Sequence, residues 1–148
     1  MTEANTPESL EHLGLPQIDQ VGFVVKSLED AKARYGALFG PFTEMDGSVE
    51  AAEYRGEIAD AHLGILFGKS GELEMEFIEL GREGMHHIRY RVDNADEWIA
   101  KLAPHGYKPI WYKQFAADTV FAYLEREGDP LLVEFLEMPA GGPGTSEA

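Results

Sequence analysis

The sequence contains no cysteine. This absence excludes disulfide bonds, a thiol nucleophile and a zinc site built on cysteine, and makes a cytoplasmic location the default expectation. No apolar run approaches the roughly 18 residues that a transmembrane helix needs. Residues 1–16 are acidic and polar and lack the apolar stretch of a signal peptide, so we expect no signal peptide in them.

Basic residues are also scarce, with 12 Lys and Arg against 27 Asp and Glu, for a formal net charge of −15. Nucleic-acid binding needs a basic surface, so we expect no nucleic-acid partner. An acidic surface also disfavours adsorption to anionic membranes. The hydrophobic fraction of 44% is ordinary for a soluble globular protein.

The composition divides the chain into three parts. Residues 1–16 are expected to form an N-terminal leader with a short helix at residues 7–13. Residues 139–148 are rich in Gly and Pro and are expected to form a flexible tail. Between them we expect a single domain at residues 17–138, made of one module at 17–80 and a second at 85–138.

These two modules follow from an internal repeat. The segment MEFIEL at residues 75–80 recurs as VEFLEM 58 positions later. The segment IDQVGFVV at residues 18–25 recurs in pattern as MHHIRYRV 67 positions later. One pair opens each unit and the other closes it, which indicates a tandem duplication of one supersecondary unit.

Each unit is predicted to run strand, helix and three strands. In the first unit, the strand at 18–25 precedes a helix that begins after Ser27 and ends at Gly40. Strands are then expected around residues 49–55, 61–67 and 72–79, with a hairpin turn at 68–71. The second unit repeats this order with a strand at 85–92, a helix after Asn94 that ends near Pro104 and Gly106, and strands near 108–114, 119–125 and 131–137.

Four potential metal ligands occupy matching positions in the two units. Gln20 and His87 lie in the opening strands, on the face turned away from the helix, while Glu76 and Glu134 lie in the closing strands among apolar neighbours. Two carboxylates about 4 Å apart repel by roughly 4 kcal/mol at an effective dielectric of 20. A divalent cation removes that repulsion, and one imidazole, one amide oxygen and two carboxylates suit Zn, Ni, Co, Mn or Fe(II).

Other polar residues share the inward face. Arg89 and Arg91 either pair with local carboxylates or bind an anionic group of a substrate. Glu74 shares a face with Glu76, and a register slip of two would exchange them. His86 is expected to face away from His87, packed against a helix or supporting the site from behind. Four aromatic residues are expected in the core rather than at a substrate wall: Trp111, Tyr112, Phe121 and Tyr123.

The segments IDQVGF at 18–23, GMHHI at 84–88 and LVEFLE at 132–137 give the chain a resemblance to the vicinal oxygen chelate superfamily. This superfamily includes glyoxalase I, methylmalonyl-CoA epimerase, extradiol dioxygenases and bleomycin-resistance proteins. The resemblance covers about residues 17–138. It implies an α+β fold, in which two tandem βαβββ modules form a cup-shaped mixed sheet around one divalent metal per site, and a homodimer.

The resemblance also implies the ligand set. Gln20, Glu76, His87 and Glu134 match the family's ligand positions one by one; the first position usually holds His, but a Gln–Glu–His–Glu set occurs in eukaryotic-type glyoxalase I. That enzyme typically follows its first-module Glu with a Leu-Thr-His-Asn-type run that helps hold glutathione. Here Leu80 stands where the Asn would be, so glutathione dependence is not expected. Extradiol dioxygenases need two His on iron, and only one His lies at a ligand position.

Two functions from different classes follow from the resemblance. The first is a metal-dependent isomerase, epimerase or lyase that abstracts a proton next to a metal-bound carbonyl, with Glu134 or Glu76 as the base. The second is a metal-free small-molecule binding protein of the bleomycin-resistance type. A third possibility is a fold in which the two carboxylates only pair with Arg89 and Arg91.

Overall fold

The computed structural model describes residues 12–61 and 63–139. The helix predicted at 7–13 and the tail predicted at 139–148 lie almost entirely outside these residues and stay predictions. The limits predicted for the domain also stay predictions. Neither α-helix of the described residues is long and apolar enough to cross a membrane.

Ten strands and two α-helices make up the described chain. The first half contains β1 (Ile18–Val25), α1 (Leu28–Phe39), β2 (Thr43–Asp46), β3 (Val49–Tyr54), β4 (Glu57–Ala61), β5 (Gly64–Ser70) and β6 (Leu73–Glu79). The second half contains β7 (Gly84–Val92), α2 (Ala95–Leu102), a 3-10 helix (Ala103–His105), β8 (Tyr107–Ala116), β9 (Thr119–Arg126) and β10 (Asp129–Glu137).

All ten strands belong to one sheet, in the order β2-β5-β6-β1-β7-β10-β9-β8-β3-β4. The opening strands β1 and β7 are antiparallel at its centre. Each of them also pairs in parallel with the closing strand of its own unit, β6 or β10. The orders β2-β5-β6-β1 and β7-β10-β9-β8 therefore mirror each other, which confirms the predicted α+β fold of two βαβββ modules in a cup-like sheet.

The hairpin of β3 and β4 departs from the prediction. The strand expected around 49–55 exists as β3, but it pairs with β8 of the second unit. In the first unit, β2 is the strand that pairs with β5 at the edge of the sheet. Its four residues are all exposed and show no apolar alternation. Only residues 47 and 48 connect β2 to β3, so the two ends of the sheet are held close together and the sheet must curl.

The turn between β5 and β6 also differs from the predicted turn at 68–71. Strand β5 continues through Ser70, and the chain turns at Gly71, which has a φ of 62°. Gly68 is needed for packing, because a Cβ there would lie 2.5 Å from the carbonyl oxygen of Phe39. Gly68 therefore marks a close approach of two backbone segments rather than a turn.

Each helix covers one half of the convex face. The Ser27 hydroxyl accepts a hydrogen bond from the Asp30 N–H at 3.2 Å and caps α1, and the Asn94 side chain caps α2 in the same way. The apolar faces of these helices pack on two buried clusters: Val25, Leu28, Ala31, Leu66, Met75 and Phe77 in the first half, and Val92, Ala95, Leu102, Val120, Ala122, Leu124, Val133 and Phe135 in the second. The concave side of the central strands is therefore left to polar residues.

Candidate functional site

Two β-bulges interrupt the pairing of β1 and β7. One leaves Asp19 as an extra residue on β1, and the other leaves His86 as an extra residue on β7. A bulge breaks the alternation of side chains along its strand. Asp19 therefore reaches the same side of the sheet as Gln20, and His86 the same side as His87. The prediction that His86 faces away from His87 is wrong for this reason.

The four predicted metal ligands meet on the concave side of the sheet. His87 is fully buried, and Gln20, Glu76 and Glu134 are between 1% and 6% exposed. The Nε2 atom of His87 lies 2.6 Å from Gln20 Oε1 and 3.2 Å from Oε1 of each glutamate. Three oxygen atoms from three different strands therefore surround one imidazole nitrogen.

This arrangement leaves buried acceptors without donors. One N–H on Nε2 can serve only one acceptor well, and it lies closest to Gln20 Oε1. Within residues 12–61 and 63–139, Glu76 Oε1 and Glu134 Oε1 have no hydrogen-bond partner. A buried, unpartnered carboxylate oxygen costs about 1–3 kcal/mol or more. A cation near Nε2 would remove that penalty for both oxygens at once.

The donor set fits a divalent metal ion. Metal–nitrogen and metal–oxygen bonds of about 2.0–2.2 Å place neighbouring ligand atoms roughly 3.0–3.5 Å apart. Both glutamate distances to Nε2 of His87 fall in this range. Across the described part of the chain, no three His, Asp or Glu side chains are already arranged to hold an ion. The oxygens here approach Nε2 itself, so small side-chain rotations must turn all the donors toward a common point.

A glycine provides the space for the imidazole. Gly22 pairs with His87 across the β1–β7 ladder, and its missing side chain faces the ring. A Cβ at Gly22 would lie 2.1 Å from Cε1, 2.4 Å from Nδ1 and 2.7 Å from Nε2 of His87. No side chain larger than hydrogen is compatible with this position of the ring.

A second group of charged residues orients the Gln20 amide. Gln20 Nε2 donates to Glu74 Oε1 at 2.7 Å, which directs Gln20 Oε1 toward His87. Arg89 in turn donates to both carboxylate oxygens of Asp19, at 2.9 and 3.2 Å, and to Glu74 at 3.5 Å. These contacts correspond to the alternative in which Arg89 pairs with local carboxylates, and they place Glu74 behind Gln20 rather than beside His87.

Arg91 lies apart from this cluster. Its Nη2 donates to the carbonyl oxygens of Met138 and Pro139, at 3.2 and 2.7 Å. These bonds tie down the chain just beyond β10. A substrate-binding role for Arg91, or for Arg89, stays a prediction.

Tyr123 belongs to the site, although the sequence pattern assigned it to the core. Its ring centroid lies 5.2 Å from that of His87, 5.7 Å from that of His86 and 5.6 Å from that of Trp111. In β9, Val120, Ala122 and Leu124 pack in the core beneath α2. Alternation along the strand therefore already places Tyr123 on the concave side, and this signal was available in the sequence.

Burial and charge act together on the titratable groups of the site. Burial raises the pKa of Glu134 to about 7, against the opposing charges of His87 and Arg89. Burial alone would lower the pKa of His87, but Glu76 and Glu134 outweigh it and raise the pKa. Burial, with the charge of His87, lowers the pKa of His86 to about 4. Burial and the two carboxylates raise the pKa of Tyr123 well above its usual value.

Comparison with solved structures supports the fold. A hypothetical protein from Bacillus halodurans C-125 is 22% identical, with a TM-score of 0.57 over 85% of this chain and 96% of that one. A variant of Streptomyces coelicolor methylmalonyl-CoA epimerase, in complex with 2-nitronate-propionyl-CoA, is 18% identical, with a TM-score of 0.56 over 86% and 97%. Methylmalonyl-CoA epimerase from Mycobacterium tuberculosis is 13% identical, with a TM-score of 0.55 over 84% and 89%. Likeness at these identities shows the fold alone.

Comparison with curated proteins found no match. A family model does match residues 19–123, which is more than half of the chain and extends from β1 into β9. On this match, the chain belongs to the Glyoxalase/Bleomycin resistance protein/Dioxygenase superfamily.

Proposed function

We propose that the protein is a divalent-metal-dependent enzyme that moves a proton at the carbon next to a carbonyl group. The observation that carries this proposal is the pair of buried, unpartnered oxygens of Glu76 and Glu134, both 3.2 Å from His87 Nε2. Two carboxylates, an imidazole and an amide oxygen form a set suited to Zn, Ni, Co, Mn or Fe(II). Gln20, Glu76, His87 and Glu134 would hold the metal.

The metal would act as a Lewis acid that polarises a carbonyl oxygen and so makes the neighbouring C–H more acidic. The chain's own residues divide the remaining work. Gln20 has no titratable group, and the Nε2 lone pair of His87 would be used by the metal, so these two residues would only hold the ion in position. Glu134 or Glu76 would take the proton as a carboxylate released from the metal, and would then return it to the substrate.

The proposed reaction class is isomerisation or epimerisation, with a lyase step as a further possibility. Several similar structures are methylmalonyl-CoA epimerases, and this supports the class without identifying a substrate. Tyr123 contacts the rings of His86, His87 and Trp111, and these aromatic faces would line a site for a small substrate. Homodimerisation stays a prediction of the resemblance.

A metal-free binding protein of the bleomycin-resistance type is the second candidate. The observation that favours it is the aromatic Tyr123 beside the two buried carboxylates, because carboxylates and aromatic faces together suit a cationic ligand. In such a protein the ligand's positive charge, rather than a metal, would neutralise Glu76 and Glu134.

Metal titration of the purified protein separates these candidates. The protein is treated with EDTA, dialysed, and titrated with Zn²⁺, Ni²⁺, Co²⁺, Mn²⁺ and Fe²⁺ in a competition assay. We expect about one ion per chain in the wild type, at least 100-fold weaker binding in His87→Ala, and no change in His105→Ala, whose side chain lies at an exposed position after α2. Wild-type protein that binds none of these ions, and His87→Ala that binds as tightly as wild type, would each refute the metal proposal.

A second variant tests the base. Glu134→Gln keeps the size of the side chain and one oxygen donor but cannot accept a proton. The assay uses carbonyl compounds with an acidic hydrogen on the neighbouring carbon. We expect the Glu134→Gln variant to stop exchanging that hydrogen with deuterated water while it keeps part of its metal affinity. Full exchange in this variant would assign the base to another residue.

A further inference from the structure

The two β-bulges occupy equivalent positions in the duplicated units. Asp19 and His86 are 67 positions apart, which is the offset that relates β1 to β7. Each bulge residue directly precedes a proposed metal ligand, Gln20 in one unit and His87 in the other. The same backbone device therefore places one extra polar side chain beside a ligand in both halves of the cup.

In the second unit this extra side chain contacts its ligand directly. The Nδ1 atoms of His86 and His87 lie 2.8 Å apart, and the two rings meet edge to face, with an interplanar angle of 82°. Two nitrogens at this distance share one hydrogen, so one ring donates and the other accepts. Among the described residues, Nδ1 of His87 has His86 as its hydrogen-bond partner.

The contacts of Nε2, on the opposite side of the His87 ring, show which of the two histidines donates this hydrogen. Nε2 faces the oxygens of Gln20, Glu76 and Glu134, so it is the nitrogen that would bind a metal. A neutral imidazole that binds metal through Nε2 carries its hydrogen on Nδ1. That hydrogen can then be donated only toward His86 Nδ1, which must act as the acceptor.

We propose that His86 is a positioning residue that accepts the Nδ1–H of His87 and thereby fixes the tautomer and the ring orientation of this ligand. The inference rests on the proposed metal-dependent function and adds a residue to it. The partner of a ligating histidine is most often a carboxylate, a carbonyl group or water. Here an imidazole takes that place, and it reaches the site only because the bulge turns His86 onto the concave side.

Hydrogen bonding and packing make different predictions at this position. His86 also contacts the Tyr123 ring at 5.7 Å, so its loss would disturb packing as well. His86→Phe keeps an aromatic ring next to Tyr123 but removes the acceptor. His86→Asn gives up the ring but places an amide oxygen near the position of Nδ1. If the acceptor matters, Asn should preserve the function of the ligand better than Phe.

The test measures metal affinity and the tautomer of His87 in the same variants. Affinities for Zn²⁺ and Co²⁺ come from chelator competition with wild type, His86→Phe, His86→Asn and, as a control, His105→Phe. The tautomer comes from 15N NMR of the zinc-loaded proteins with labelled histidine. We expect a 10- to 100-fold loss of affinity in His86→Phe, a smaller loss in His86→Asn and none in His105→Phe. In the wild type, the 15N shifts should show His87 with its hydrogen on Nδ1.

Each outcome decides a separate point. Wild-type protein that binds no metal refutes the proposed function, and with it the role of His86 toward a metal. Wild-type protein that binds metal, with His86→Phe equal to it, refutes the positioning role alone. An Asn variant that binds no better than the Phe variant, or a wild-type His87 with its hydrogen on Nε2, would also overturn the role. Circular dichroism of each variant establishes that it is folded before its affinity is compared.

Discussion

Gly22→Ala tests whether the space beside His87 determines metal binding. An ordinary contact begins at 3.4 Å, whereas the added Cβ would lie 2.1 Å from His87 Cε1. The ring must therefore retreat by about 1.3 Å, and ligand distances in metal sites vary by only about 0.2 Å. We expect Nε2 to leave the ligand position and metal affinity to fall by about 100-fold or more.

The same substitution should also destabilise the fold. Forcing an atom into a packed site typically costs about 1–3 kcal/mol. Gly36→Ala is the matched control, because a Cβ at Gly36 in α1 meets nothing within 4 Å. Replacing a helical glycine in open space should stabilise the protein by about 0.5–1 kcal/mol.

Urea unfolding with and without Zn²⁺ measures both effects. At a zinc concentration 100 times the wild-type Kd, binding adds about 2.7 kcal/mol to the free energy of unfolding of the wild type. With 100-fold weaker binding, the same zinc adds only about 0.4 kcal/mol to Gly22→Ala. A zinc-dependent gain in Gly22→Ala equal to that of the wild type would refute the argument from the missing Cβ, whatever the cost to the metal-free fold.

Three further predictions follow from the site and its frame. Without metal, the free energy of unfolding should fall as pH rises from 6.5 to 8, because Glu134 and His87 both have raised pKa values and so bind more protons in the folded state than in the unfolded state. Zinc should reverse this slope. Urea unfolding over this pH range, in EDTA and in zinc, would measure both slopes. Glu74→Leu removes the acceptor that orients the Gln20 amide, so chelator competition should give about 10- to 100-fold weaker zinc binding. Ser27→Ala removes the cap of α1 and should lower the free energy of unfolding by about 1 kcal/mol without changing zinc affinity.

Two patterns in the sequence pointed to the four side chains that meet on the concave side, and their role as metal ligands stays a prediction. Alternation along β1 assigned a face to Gln20, and the repeat transferred that face to His87. The repeat also distinguished Glu76 from Glu74, and in the structure Glu76 is the one that lies 3.2 Å from His87 Nε2. Each pattern depends only on residues within one unit or on the offset between the units, so neither requires knowledge of which strands are neighbours.

Apart from Tyr123, the features that the sequence analysis missed depend on contacts between different elements of the fold. His86 changes face because of a bulge, and a bulge is defined by the pairing of β7 with β1 rather than by the residues of β7. Strand β3 joins β8, although a local pattern places it in the first unit. Gly68 is required by the approach of the Phe39 carbonyl oxygen. A pattern read along one strand contains no information on such contacts.

The duplicated units differ at one pair of equivalent positions next to the site, and this difference accounts for the asymmetry of the site. Gly22 in β1 corresponds to Arg89 in β7, by the same 67-residue offset. An arginine at the first position would occupy the space that His87 needs. A glycine at the second would remove the cation that bonds Glu74, the acceptor of the Gln20 amide. One imidazole and one oriented amide can therefore share this centre only if the two halves of the repeat have diverged at this pair.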